Sequence, residues 1–161
     1  MRNAILTILI VIIIGAGVLY LISASQPEPQ EPIDENPITT PTTTPQAEAT
    51  YTNATTDLIV VDQPKPGATI SRSLTVSGQA RGNWFFEASF PIEVVDPNGA
   101  ILLNTYMEAQ GEWMTTEFVP FSRTVTIPGT YTGPATLILR KDNPSGLPEH
   151  DASVSMPVTI Q

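Results

Sequence analysis

From Leu58 to the C-terminus, apolar residues recur at every second position, and the 3.6-residue spacing of an amphipathic helix is hard to find. Successive side chains on a strand point to opposite faces, so a period of two dictates half-buried strands resting on a core. The last run is the plainest: Val154, Met156, Val158 and Ile160 alternate with Ser153, Ser155, Pro157 and Thr159. Proline donates nothing to a ladder, so this strand is expected at an edge, or bulged at Pro157. Leu58 to Val61, Leu74 to Gln79 and Ala135 to Arg140 read as further strands. Ile92 to Val95 runs into Asp96-Pro97-Asn98-Gly99, a tight-turn sequence, and Ala100 to Tyr106 returns as the second arm of a hairpin. Phe121, Val125 and Ile127 share a face on which Arg123 also falls, which requires Arg123 to lie near an edge or to snorkel. Several short strands in a stretch of this length imply an all-β, antiparallel two-sheet sandwich, with Trp84 or Trp113 as its large core aromatic. The chain has no cysteine, which excludes disulfides, thiolate catalysis and cysteine-held metals.

The N-terminal part has a different character. Ala4 to Ile22 carries no charge and is almost wholly apolar. As a helix it would be roughly 28 Å long, close to the ~30 Å hydrocarbon thickness of a bilayer. Arg2 precedes it, and no Lys or Arg follows until Lys65, so the N-terminus is expected on the cytoplasmic side and the rest outside. A cleaved signal peptide is the rival reading, with Ser23-Ala24-Ser25 as its cleavage tripeptide, but the apolar run exceeds the usual ~7–15 residues. Behind it, residues 26–57 hold prolines at 27, 29, 32, 37, 41 and 45 among threonines and acids. So few apolar groups cannot offset chain-ordering entropy, and the stretch reads as an extended, disordered tether. The expected organisation is therefore a transmembrane anchor at 1–25, a tether at 26–57 and a sandwich domain at 58–161.

Net charge is −9, with six acids in the tether and ten against six bases in the domain. That balance speaks against nucleic acid and against anionic lipid head groups.

Three stretches escape the alternation: Arg81 to Phe90, Gly111 to Phe121 and Lys141 to Asp151. With Pro66-Gly67, the run Leu74-Thr75-Val76-Ser77-Gly78-Gln79-Ala80-Arg81-Gly82, the pattern Trp113-Met114-Thr115 followed by Phe118, Pro120 and Phe121, then Asp142-Asn143-Pro144-Ser145-Gly146 and Pro157-Val158, the domain resembles the Gmad2 family. The resemblance implies an immunoglobulin-like sandwich of the bacterial cell envelope, linked by name to spore germination. It carries no catalytic residues to transfer.

Candidate sites follow from the same stretches. Trp84, Phe85, Trp113 and Phe118 are the candidate ligand-binding aromatics, since amphipathic rings enrich at binding faces; packing beneath the loops is the alternative. Asp142, Asn143 and Asp151 offer hard oxygens to a calcium ion, against an Asx turn at Asp142-Asn143-Pro144. Glu87 and Glu117 give the enzymatic alternative, a glycan hydrolase with paired carboxylates, against ordinary pairing with loop N–H groups or arginines; a Ser-His-Asp arrangement would have to use His150. His150, the lone histidine, lies in a turn-rich acidic loop with no nucleophile motif. No catalytic residue and no cofactor is assigned. The expectation is a non-catalytic binding or assembly module whose partners are the membrane, through residues 4–22, and an envelope protein or glycan; a purely structural stalk protein is the further alternative. Protease added to intact cells should release the domain by cutting between residues 26 and 57, and full protection where the wall admits the protease would overturn this orientation.

Overall fold

A computed structural model describes residues 47–161. The apolar run at 4–22 and most of the tether lie outside the described residues. Among the described residues there is no α-helix, and no helix is long and apolar enough to cross a membrane.

The strands are β1 (Thr50–Thr52), β2 (Ile59–Gln63), β3 (Thr69–Ile70), β4 (Ser73–Arg81), β5 (Ser89–Val95), β6 (Ile101–Glu108), β7 (Phe118–Thr126), β8 (Gly133–Arg140) and β9 (Ser153–Ile160). They form two sheets. One has the order β1-β9-β8-β5-β6 with β3 also beside β9; the other has the order β2-β4-β7. All pairings are antiparallel except the two-residue contact of β3 with β9.

The alternation in the sequence becomes the core. Val76 and Ala80 of β4, Phe90, Ile92 and Val94 of β5, Leu137 and Leu139 of β8, and Val154 to Ile160 at every second position of β9 are buried. The two sheets are joined by rings. Phe90 of β5 meets Phe121 of β7 edge-on, with centroids 5.1 Å apart, and Phe85 packs on Phe90 at 5.2 Å. Phe121 lies opposite Gly78 across the β4–β7 ladder. A Cβ at Gly78 would meet the Phe121 ring at 2.7 Å and collide with the Val60 carbonyl oxygen, so only glycine leaves room for the ring.

Arg123 satisfies its awkward position as expected. It sits on β7, an edge strand, and reaches across to the other sheet's edge, donating to the Tyr106 carbonyl at 2.6 Å with its guanidinium 4.5 Å from the Tyr106 ring centroid.

Two expectations need correction. The tether does not extend to residue 57: Thr50–Thr52 adds to the sheet as β1, and Ala49, Tyr51 and Ala54 pack against the core. A β-branched and aromatic Thr-Tyr-Thr triplet suits a strand, and it covers the open edge of β9. Burial pushes the Tyr51 phenol above its ordinary pKa. Nor is β9 an edge strand or bulged at Pro157. It pairs with β8 along its whole length, and its other side is shared between β1 at Ser153–Ser155 and β3 at Thr159–Ile160. Pro157 falls in the gap between them, where its carbonyl accepts from Gly67 N–H at 2.7 Å. The N and C=O of a strand residue point the same way, so the missing N–H faces the gap and leaves no acceptor wanting.

The β5–β6 hairpin closes as expected. Asp96 accepts from the backbone N–H groups of Asn98 and Ala100, both at 2.8 Å. The Ala100 N–H, then the Asn98 and Gly99 groups, hold its carboxyl below the ordinary value against a smaller opposing effect of desolvation. A depressed folded-state pKa means that the stabilisation is complete above the unfolded pKa of ~3.9 and is lost as pH falls through the folded value. Asp96→Ala should therefore lower the melting temperature at pH 7, and the difference should shrink progressively as pH is taken below ~3.9, as thermal denaturation across that range would show.

Candidate functional site

The strand register gathers one set of loops at one end of the sandwich. Arg81 pairs with Phe118, Ser89 with Glu108, Arg140 with Ser153, and Thr52 with Ser153. The connections 53–58, 82–88, 109–117 and 141–152 therefore share that end, and they contain the three stretches that escape alternation. Loops positioned by a rigid scaffold are the usual place for binding residues.

These loops are fastened to one another. Arg81 is the main clamp: it donates to the carbonyls of Asp57 at 3.0 Å and Thr116 at 3.1 Å, lies 3.6 Å from the Glu117 carboxylate, and covers the Phe118 ring at 4.2 Å. Gly82 opens a single 3₁₀ turn, Gly82–Trp84, pressed against the 111–117 loop. A Cβ there would collide with the carbonyl oxygens of Trp113 and Thr115, so this approach also needs glycine. Asp142 N–H donates to Trp84 C=O at 3.0 Å, and the Asn53 amide donates to Asp151 C=O at 3.0 Å. A four-residue hairpin turn follows, Phe86 to Ser89, closed by reciprocal backbone bonds. Glu87 and Ala88 both hold positive φ, 50° and 60°, which is the type I′ geometry without the usual Asn or Gly.

The predicted aromatics divide. Trp84 is wholly buried and Phe85 is 4% exposed, so neither offers contact surface. The 3₁₀ turn drives the indole inward, where its N–H has no partner among the described residues. Phe85 is taken up by the Phe90 ring. Phe118 is half-buried beneath Arg81. Trp113 is half-buried and lines an open hollow of about 570 Å³ with Gly82, Asn83, Phe85 and Met114 to Thr116. The outward apolar groups are Phe86 (42% exposed), Met114 (74%) and Leu147 (48%). Sequence reasoning missed Phe86: strand alternation does not apply here, since the neighbours Trp84 and Phe85 both turn inward.

The calcium reading of Asp142, Asn143 and Asp151 does not fit the geometry. Asn143 turns its amide nitrogen, not its oxygen, to Asp151 Oδ1 at 2.7 Å and to Leu147 C=O at 2.9 Å. Its oxygen accepts from Ser145 at 2.6 Å. Among the described residues, no group of three or more His, Asp or Glu side chains is placed to hold a metal ion. Nor is the expected Asx turn formed: the Asn143 amide instead ties Ser145, Leu147 and Asp151 together, and among the described residues neither the Asp142 nor the Asn143 side-chain oxygen accepts a backbone N–H.

His150 Nδ1 lies 3.0 Å from Ser145 Oγ. The Ser145 proton is committed to Asn143, and its oxygen also receives Leu147 N–H at 3.3 Å. Nδ1 is then the donor and cannot serve as a base toward that hydroxyl. The carboxylates are equally dispersed. Glu112 accepts from Met114 N–H at 3.0 Å, Glu117 stands beside Arg81, and Glu87 projects from the tip of its turn.

Arg81→Ala should cost about 2 kcal/mol, from two charge-assisted hydrogen bonds and the contact with Phe118. Arg81→Lys should recover little of it, because an ammonium lacks the planar fork. Denaturant unfolding of the three proteins gives the comparison.

A family model described as the immunoglobulin-like domain of bacterial spore germination matches residues 58–146. No curated protein matches the chain. The matched residues begin at the strand β2 and run through the first turn of the 141–152 loop, so they include the Arg81 clamp, the Gly82 approach and the Trp113-Met114 loop. With its two-sheet sandwich and these loops at one end, the chain belongs to the Gmad2 family of immunoglobulin-like domains.

Proposed function

We propose that this chain is a non-catalytic binding module of the bacterial envelope, held to the membrane by residues 4–22 and carried outside the cell on its Pro/Thr-rich tether. The observation that carries this reading is the loop end: three irregular stretches converge there and turn Phe86, Met114 and Leu147 outward. Exposed apolar groups on loops at one end of a rigid support suit an interaction surface. The family description, an immunoglobulin-like domain of bacterial spore germination, agrees with an envelope setting. The dispersal of Glu87, Glu112 and Glu117 into separate local roles argues for binding rather than hydrolysis.

The described chain begins at the other end of the sandwich. Ala47 borders a hollow with Gly67, Pro97, Pro134 and Pro157, far along β9 from the 141–152 loop.

A photo-crosslinking side chain placed at Met114 in the full-length protein, in living cells, should give discrete adducts. The same group at Asn98, in the turn at the opposite end, should give none. Equal labelling from both positions, or none from either, would instead favour a structural stalk.

A further inference from the structure

Between the 83–86 segment and the 141–150 loop lies a second hollow, of about 280 Å³, which shares Asn83 and Phe85 with the hollow beside Trp113. Its lining combines one exposed ring, Phe86, with polar groups that the fold itself does not use. The Asn83 amide and the Asp142 carboxylate have no side-chain hydrogen bond among the described residues, although both line this hollow. His150, with Nδ1 donating to Ser145, presents Nε2 as an acceptor. Lys141 stands next to Asp142, so the two charges that line the hollow balance.

From this arrangement the geometry points to an uncharged glycan as the ligand, specifically a β-linked pyranose chain whose substituents are equatorial. Such a sugar has a flat C–H face and a rim of hydroxyl or acetamido groups. The Phe86 ring takes the C–H face, while Asn83, Asp142 and His150 supply donors and acceptors for the rim. The hollow approaches the lower end of the ~300–1,000 Å³ range of small-ligand sites, enough for a single ring. It is continuous in its lining residues with the hollow beside Trp113, so the chain has a path onward. Charge supports the choice: the domain is acidic overall, which disfavours polyanions. Backbone pairing supports it too. An extended peptide would need a row of free main-chain groups, but Asp142 N–H is bound to Trp84, Lys141 N–H to Ala152, and Phe86 to Ser89 in both directions. The inference rests on the reading of the loop end as a binding surface and gives that surface a ligand class.

The test is isothermal titration of the full-length protein, in a detergent without a sugar head group, with cellohexaose and with chitohexaose. At least one should bind saturably. Phe86→Ala and Asp142→Ala should each weaken binding about tenfold or more, and Phe86→Tyr should retain it; Asn98→Ala, in the turn at the opposite end of the sandwich, should leave it unchanged. Should Phe86→Ala fail to fold, Asp142→Ala, a change at a partly exposed side chain, decides alone. No saturable binding at millimolar sugar, or binding indifferent to Asp142, overturns the inference, as does binding that Asn98→Ala weakens equally. Loss of the sugar result with position-specific crosslinking at Met114 intact would remove only the ligand class; loss of both would remove the binding surface as well.

Discussion

The edge-to-face contact of Phe90 with Phe121 is the joint on which the rest of this domain depends. It is the point where a ring from each sheet meets inside the sandwich, and it is possible because β4 presents Gly78, with no side chain, opposite Phe121. The joint also reaches upward. Phe85 closes on the same Phe90 ring, which pins the 82–88 connection to the core and fixes where Phe86 points. The position of the outward ring is thus set by the packing of the inward one, with little left to the loop itself.

Arginine does for this cysteine-free chain what covalent staples do in many small extracytoplasmic domains. Arg81 ties two loops at one end, Arg123 ties the edges of the two sheets, and Arg72 ties the opposite end by donating to Tyr131 C=O at 2.7 Å. Arg81 and Arg123 also lie over aromatic rings. Arg81 and Arg72 each donate to two backbone carbonyls and Arg123 to one carbonyl and the Thr105 hydroxyl, from a fork geometry that lysine lacks. The domain is nevertheless acidic, because its ten carboxylates outnumber its six bases.

The two sheets were largely legible in the sequence because period-two patterning and burial report the same physical fact. Val154 to Ile160 alternate in the sequence and are buried at every second position in the structure. The Asp96-Pro97-Asn98-Gly99 turn was equally plain, since its residue types demand its geometry. What patterning cannot carry is the partner on the far side of a strand. Pro157 looked disqualifying for an internal position, and only the split of the β9 edge between β1 and β3 makes room for it. The candidate site was legible in outline only. Stretches that break alternation marked the right loops, but the inward or outward sense of each ring depends on the 3₁₀ turn at Gly82–Trp84 and the turn at Phe86–Ser89. A composition of aromatics therefore named Trp84 and Phe85 where the surface is made by Phe86, and the amide of Asn143 points opposite to what a cation would need.

The placement of the ends has a mechanical meaning. Ala47 lies beside Pro157, and Gln161 N–H donates to Ile70 C=O, so both ends of the described chain leave from the side away from the loops. A load held at the loops and resisted through the N-terminal chain would run along the strands and enter the sheet through β1. That strand contributes only Thr50 to Thr52 to its ladder with β9. Shear would therefore fall first on three residues, and β1 can detach while β9 keeps its full pairing with β8. Under such a load the domain has a short element that yields before the core is stressed.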